Sequence, residues 1–67
     1  MKTQRYYYRA IERDGFYCGQ VYHYDPTGDV IIPDWTSTVP RKAKETAMDD
    51  ACEWAEDQGI DAEADYS

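Results

Sequence analysis

Residues 40–58 read PRKAKETAMDDACEWAEDQ, a stretch whose periodicity predicts one long amphipathic helix. At about 100° per residue, its apolar side chains gather on one side: Ala43, Ala47, Met48, Ala51, Trp54 and Ala55. Six carboxylates share the other side, here named the acidic helix face: Glu45, Asp49, Asp50, Glu53, Glu56 and Asp57. Lys42 is the only cation expected among them. Because like charges four residues apart destabilise a helix, this density of acid indicates a binding function.

The sequence before this helix predicts a β-hairpin. Residues 5–13 and 16–24 are rich in aromatic residues and flank Asp14-Gly15, a dipeptide typical of two-residue type I′ turns. That turn sets a register in which Ala10 pairs with Gly19. A helix can lie close to these two small residues, so we expect it to cover the face that carries them.

A third strand and the ends of the helix complete the predicted fold. Residues 25–28 (DPTG) predict a turn, and residues 29–35 a third strand that Pro33 restricts to a sheet edge. Residues 36–38 offer N-caps, Pro40 suits a first helical turn, and Gly59 suits a C-terminal stop that Ile60 covers. Residues 60–67 are expected to be an acidic frayed tail. The prediction is therefore a single β-β-β-α domain over 1–67, of the α+β class. It has two layers: a three-stranded antiparallel meander with one long C-terminal helix on one face.

The charge of the chain is unevenly distributed. The net charge is −7, but residues 1–42 hold six cations and five anions, whereas residues 43–67 hold one cation and nine anions. An acidic surface favours a basic partner over direct binding of nucleic acid. No apolar run approaches the ~20 residues of a membrane span. Without CxxC spacing, Cys18 and Cys52 favour buried free thiols over one disulfide. We expect a monomer located in the cytoplasm, without membrane contact.

Catalysis and metal binding find little support in the residue types. His23, the only histidine, is expected to be structural, and no nucleophile has a recognisable partner spacing. Asp49, Asp50 and Glu53 could approach a hard cation, but the DxDxDG loop of an EF-hand is missing and zinc ligands are too few. The sequence therefore predicts a non-enzymatic protein with no metal and no cofactor.

The open face of the hairpin offers an alternative function. Arginines alternate there with aromatic rings, as on surfaces that bind single-stranded nucleic acid by stacking and by phosphate contacts. The residues of this Arg/Tyr face are Arg5, Tyr7, Arg9, Tyr22 and Tyr24. Two plainer interpretations also stand: these side chains cover the sheet, or they form a homodimer interface. Simple solubility is likewise the plain interpretation of the acidic helix face.

The small size, acidic charge and sheet-plus-helix plan resemble the small phage-encoded anti-CRISPR proteins that act as DNA mimics, including those against the type I-C complex. The residues that carry this resemblance are those of the acidic helix face with Asp61, Glu63 and Asp65. It contains no diagnostic motif. It implies that the acidic helix face and Asp61 bind a basic DNA-binding protein, for example the DNA-recognition subunit of a CRISPR surveillance complex. The protein would then be located in the cytoplasm of the bacterial host.

Overall fold

A computed structural model describes residues 4–66 and has the α+β class predicted from the sequence. Its elements are, in chain order, β1 (Tyr6–Arg13), β2 (Phe16–Tyr24), β3 (Ile31–Thr36), α1 (Lys44–Asp57) and β4 (Ala62–Ala64). The strands form one sheet in the order β3-β2-β1-β4, with α1 packed on one face. The sheet is mixed, because β4 runs parallel to β1 whereas the other pairings are antiparallel.

The hairpin agrees with its sequence prediction. Asp14 and Gly15 both have positive φ, as a type I′ turn requires, and Ala10 pairs with Gly19. Gly19 lies directly beneath the helix: a Cβ built on it would stand 2.3 Å from the carbonyl oxygen of Ala47. The backbone of α1 therefore approaches the sheet more closely than any residue other than glycine permits. The predicted helix-covered face is confirmed.

The core lies between this face and the helix. Val21 of β2 is fully buried against Ala51 and Ala55 of α1, and partly buried apolar side chains pack around these three residues. Those partly buried neighbours are Tyr8, Trp35, Trp54, Ile60 and Ala62. The core is therefore small, with two alanines of the helix packed against the sheet.

The prediction of a three-stranded antiparallel sheet with a frayed tail over 60–67 is wrong for the residues described. Ala62–Ala64 form β4, and the Asp65 amide then donates to the Tyr8 carbonyl at 2.8 Å. The preceding turn explains this return of the chain. Gly59 takes positive φ, the Ile60 amide donates to the Ala55 carbonyl, and Ile60 packs against the core. Ser67 lies outside the described residues.

The helix is shorter at its start than the predicted range 40–58. Residues 37–43 are held beside β2 instead: Arg41 and Tyr17 exchange two backbone hydrogen bonds of 2.7 Å. This backbone pairing outweighs the helical preference of Pro40 and moves the N-cap to Ala43, which offers no capping side chain. The third strand also shifts, from 29–35 to Ile31–Thr36, but Pro33 does lie in an edge strand as expected.

Candidate functional site

The acidic helix face is exposed along the whole of α1. Five of its six carboxylates are solvent-exposed: Glu45, Asp49, Glu53, Glu56 and Asp57. Asp61, just beyond the helix, is exposed as well. At a rise of 1.5 Å per residue, Glu45 and Asp57 stand roughly 18 Å apart along the helix axis. Among residues 4–66, no ion pair neutralises any of these side chains. The helix therefore presents a row of uncompensated negative charge to solvent.

Asp50 is the exception on this face, because it is occupied by Arg41. The guanidinium donates two hydrogen bonds to the carboxylate, Nε to Oδ2 at 2.7 Å and the second nitrogen to Oδ1 at 3.1 Å. The bonds and charge of Asp50 raise the pKa of the Arg41 guanidinium. The prediction that Lys42 would be the only cation among these acids is therefore wrong. Arg41 reaches the helix because its backbone is fixed on β2.

Packing, rather than local signals, positions the acidic helix face. The helix has no side-chain N-cap; Glu45 in its first turn complements the helix dipole, but no basic residue does so in its last turn. What fixes the rotation of α1 is the contact of Ala47 and Ala51 with Gly19. Since these alanines point at the sheet, the carboxylates on the opposite side must point away from it.

A groove between α1 and β3 was not foreseen from the sequence. The indole rings of Trp35 and Trp54 stack there, nearly parallel at 6° with centroids 5.2 Å apart. The groove has a volume of about 350 Å³, and Glu53, Asp57 and the Arg41–Asp50 pair line it together with the two indoles. The sequence placed Trp54 on the apolar side of the helix. The position of Trp35 opposite Val21 could not be predicted, because a bulge between Val21 and Tyr22 shifts the register of the β2–β3 pairing.

The side chains of the Arg/Tyr face pack against one another around Tyr22. Tyr22 is only 1% exposed: Tyr7 stacks on it at 5.6 Å, Tyr24 meets it edge-on, and the Arg9 guanidinium lies 4.7 Å from its ring centroid. Its hydroxyl donates a hydrogen bond to the Asp65 carboxylate. Burial, with that bond, raises the pKa of Tyr22 well above its ordinary range. Tyr22 therefore cannot offer a ring face to a base, as the nucleic-acid alternative requires.

Other contacts on the Arg/Tyr face disfavour binding of a polyanion. Arg9 donates from Nε to the Gln20 side-chain oxygen at 2.9 Å, so this arginine is engaged within the sheet. Strand β4 pairs Glu63 with Tyr7 and brings Asp65 to Tyr22, adding two carboxylates beside the rings. Of the five predicted residues, only Arg5 and Tyr24 are exposed.

The histidine and the two cysteines are engaged in contacts within the fold or partly buried. His23 Nδ1 lies 2.7 Å from Asp34 Oδ2, and its ring meets Tyr6 edge-on. Cys18 and Cys52 are both free and partly buried. Burial, followed by the nearby Glu56 carboxylate, raises the pKa of the Cys52 thiol, which keeps it in its poorly nucleophilic protonated form.

Within residues 4–66, no cluster of three or more histidine, cysteine, aspartate or glutamate side chains is arranged to hold a metal ion. No helix in this part of the chain has the length and apolar character needed to cross a membrane.

Comparison with protein-family models, with curated protein sequences and with solved structures finds no match to this chain.

Proposed function

We propose that the protein is a non-enzymatic inhibitor that presents its acidic helix face to the basic surface of a DNA-binding protein and so competes with DNA. The observation that carries this proposal is the row of five exposed carboxylates on α1, none of which forms an ion pair within residues 4–66. We further propose that it acts as a monomer in the cytoplasm, without binding nucleic acid itself.

Charge density supports a mimic of DNA. Duplex DNA carries about one negative charge per 1.7 Å of helix axis, or roughly ten over the ~18 Å of the acidic helix face. The five exposed carboxylates of α1 supply about half that number over the same length, and Asp61 beyond the helix adds a sixth charge. Carboxylates accept charge-assisted hydrogen bonds from lysine and arginine much as phosphate oxygens do. The face can therefore occupy a groove built for a nucleic-acid backbone.

Rigidity is the second requirement, and the fold supplies it. The close contact of α1 with Gly19 and the buried Val21 cluster hold the helix against the sheet at its middle. A preordered row of charges loses little conformational entropy on binding, which favours affinity. Binding of this kind is steered by charge, so its association rate should fall as salt screens the charges over about 8–10 Å.

The class of partner follows from this chemistry. A protein with a lysine- and arginine-lined DNA channel is the complementary surface, and the DNA-recognition subunit of a CRISPR surveillance complex is one such protein. The resemblance to small phage-encoded anti-CRISPR proteins makes that subunit the first partner to test.

A capture experiment tests the proposal. The immobilised protein is exposed to a bacterial lysate with and without competing duplex DNA, and the bound proteins that DNA displaces are measured. The test variant is Asp49→Lys/Glu56→Lys, which reverses two exposed charges of the acidic helix face. The matched control is Glu12→Lys/Asp29→Lys, which reverses two exposed charges elsewhere. Each reversal changes the charge by two, so both variants move from −7 to −3.

The expected result is that the control still captures the DNA-displaceable proteins and the helix variant does not. Equal capture by both variants would contradict the proposal, because it would show that the acidic helix face is not the contact. Equal loss in both would also contradict it, because net charge alone would then account for the binding.

A further inference from the structure

We infer that the groove between α1 and β3 is an anchor site for an arginine side chain of the basic partner. The inference rests on the proposed function and deepens it: the acidic helix face attracts the partner, and the groove holds one guanidinium. Three features of the groove point to this group: an aromatic surface, two carboxylates with no ion-pair partner in residues 4–66, and a bound guanidinium already present at one wall.

The aromatic surface comes from Trp35 and Trp54. Their parallel stacking covers one face of each ring with the other, and both partly buried side chains line the groove with the ring surface that remains. Cations are attracted to the faces of aromatic rings, and tryptophan is the strongest such partner among the side chains. A guanidinium is also planar and weakly hydrated, so it stacks on an indole more readily than an ammonium does.

The carboxylates are Glu53 and Asp57, which stand one helical turn apart beside Trp54. Side chains four residues apart on a helix are neighbours, so both can reach one guanidinium. Both are exposed, and neither forms an ion pair within the described part of the chain. Arg41 adds one positive charge to the groove and Asp50 cancels it. The groove therefore keeps two negative charges available to a ligand.

The Arg41–Asp50 pair shows the same recognition within the chain. There a guanidinium binds a helix carboxylate through two hydrogen bonds at the wall of this groove. Such two-bond geometry is specific to arginine, because the lysine ammonium is a point charge without a planar fork. The site assigned here would repeat this contact one turn further along α1, beside the stacked indoles that line the groove.

Nuclear magnetic resonance provides a direct measurement, because the chain has only two tryptophans and both lie in the groove. Their two indole N–H signals therefore report on it specifically. The probe is an acetylated, amidated peptide of arginines separated by glycines. Two peptides of the same length, with lysine or with uncharged citrulline in place of arginine, serve as comparisons. The expected result is a saturable shift of both indole signals with the arginine peptide and none with citrulline.

Two variants of equal charge separate the groove from general electrostatics. Glu53→Gln/Asp57→Asn removes the groove carboxylates, whereas Glu56→Gln/Asp49→Asn removes one glutamate and one aspartate of the same helix outside the groove. The first should raise the apparent Kd of the arginine peptide about fivefold, and the second less than about twofold, since exposed charge contacts are individually weak. Because all four side chains are exposed, both variants should keep the amide spectrum of the folded protein.

Three results would overturn the inference: equal weakening by the two variants, equal affinity for the lysine peptide, or saturation by arginine peptide without indole shifts. Failure of the proposed function looks different. In that case the peptide behaves as expected, but Asp49→Lys/Glu56→Lys, which leaves the groove intact, still captures the proteins that DNA displaces.

Discussion

Replacing Gly19 with alanine inserts one methyl group at the point where the helix meets the sheet. That carbon would lie 2.3 Å from the Ala47 carbonyl oxygen, 3.0 Å from the Ala51 amide nitrogen and 3.1 Å from the Ala51 Cβ. The two nearest atoms belong to the helix backbone, so no change of rotamer relieves the contact. The helix must move away from β2 by roughly 1 Å to reach an ordinary van der Waals separation.

Such a movement weakens the core, because Val21 is buried between the layers against Ala51 and Ala55. A gap of 0.5–1 Å forfeits about a quarter to a half of the dispersion attraction across it. Together with the strain of overpacking, the expected cost is about 2–3 kcal/mol in the free energy of unfolding. For a domain of this size that lowers the Tm by about 10–20 °C. Thermal unfolding followed by circular dichroism and urea unfolding both measure it.

A second substitution distinguishes this reason from ordinary side-chain crowding. Ala51→Gly removes the neighbouring Cβ but leaves the Ala47 carbonyl in place, so it should not rescue Gly19→Ala. It should add a further cost of about 1 kcal/mol, because glycine disfavours the helix interior. A double variant more stable than Gly19→Ala alone would refute the reasoning, as would a Gly19→Ala protein within about 0.5 kcal/mol of wild type.

Two further predictions concern the C-terminal strand and its contact with Tyr22. The Tyr22 pKa is raised above 10.0 in the folded state, so the unfolded chain loses this proton first; stability is full below pH 10 and falls as the pH rises. Urea unfolding above pH 10 should show that this group lowers the free energy of unfolding by at most about 1.4 kcal/mol per pH unit. The Tyr22→Phe variant should lose this contribution. An unchanged pH dependence in that variant would contradict the assignment. Deletion of residues 62–67 should lower the free energy of unfolding by about 1–3 kcal/mol, because the Tyr22 hydroxyl loses its partner. The deletion also leaves the β1 edge unpaired, so it should promote self-association, which sedimentation measures. Unchanged stability and sedimentation would mean that the tail is frayed after all.

The parts of the fold that the sequence predicted well are those set by local chemistry. Asp14-Gly15 defines one turn type, and that turn fixes the hairpin register and its two faces. Gly59 and Ile60 likewise define the end of the helix through two backbone bonds and one apolar contact. In each case a few adjacent residues have one favourable conformation, so no knowledge of the rest of the chain is needed.

The predictions were wrong where contacts between residues distant in sequence determine the local structure. Ala62–Ala64 has little intrinsic preference for a strand, and becomes one only because the returning chain is delivered beside β1. Pro40 and the residues after it resemble a helix start, yet backbone pairing between Arg41 and Tyr17 keeps them extended. The same long-range pairing brings Arg41 to Asp50 and helps to build the groove. The acidic helix face was thus predictable from periodicity, whereas the groove beside it was not.

The charges on α1 act against the stability of the element that carries them. Three like-charged pairs stand four residues apart, Glu45/Asp49, Asp49/Glu53 and Glu53/Asp57, and together they cost about 1 kcal/mol. Glu56 and Asp57 lie at the negative end of the helix dipole, which adds a cost of about 0.3–1 kcal/mol each. Mixed lysine and glutamate would supply solubility without these costs. Because the sheet contact at Gly19 offsets them and fixes the helix rotation, the acids stay ordered and outward, which is what a competitor for a DNA-binding surface needs.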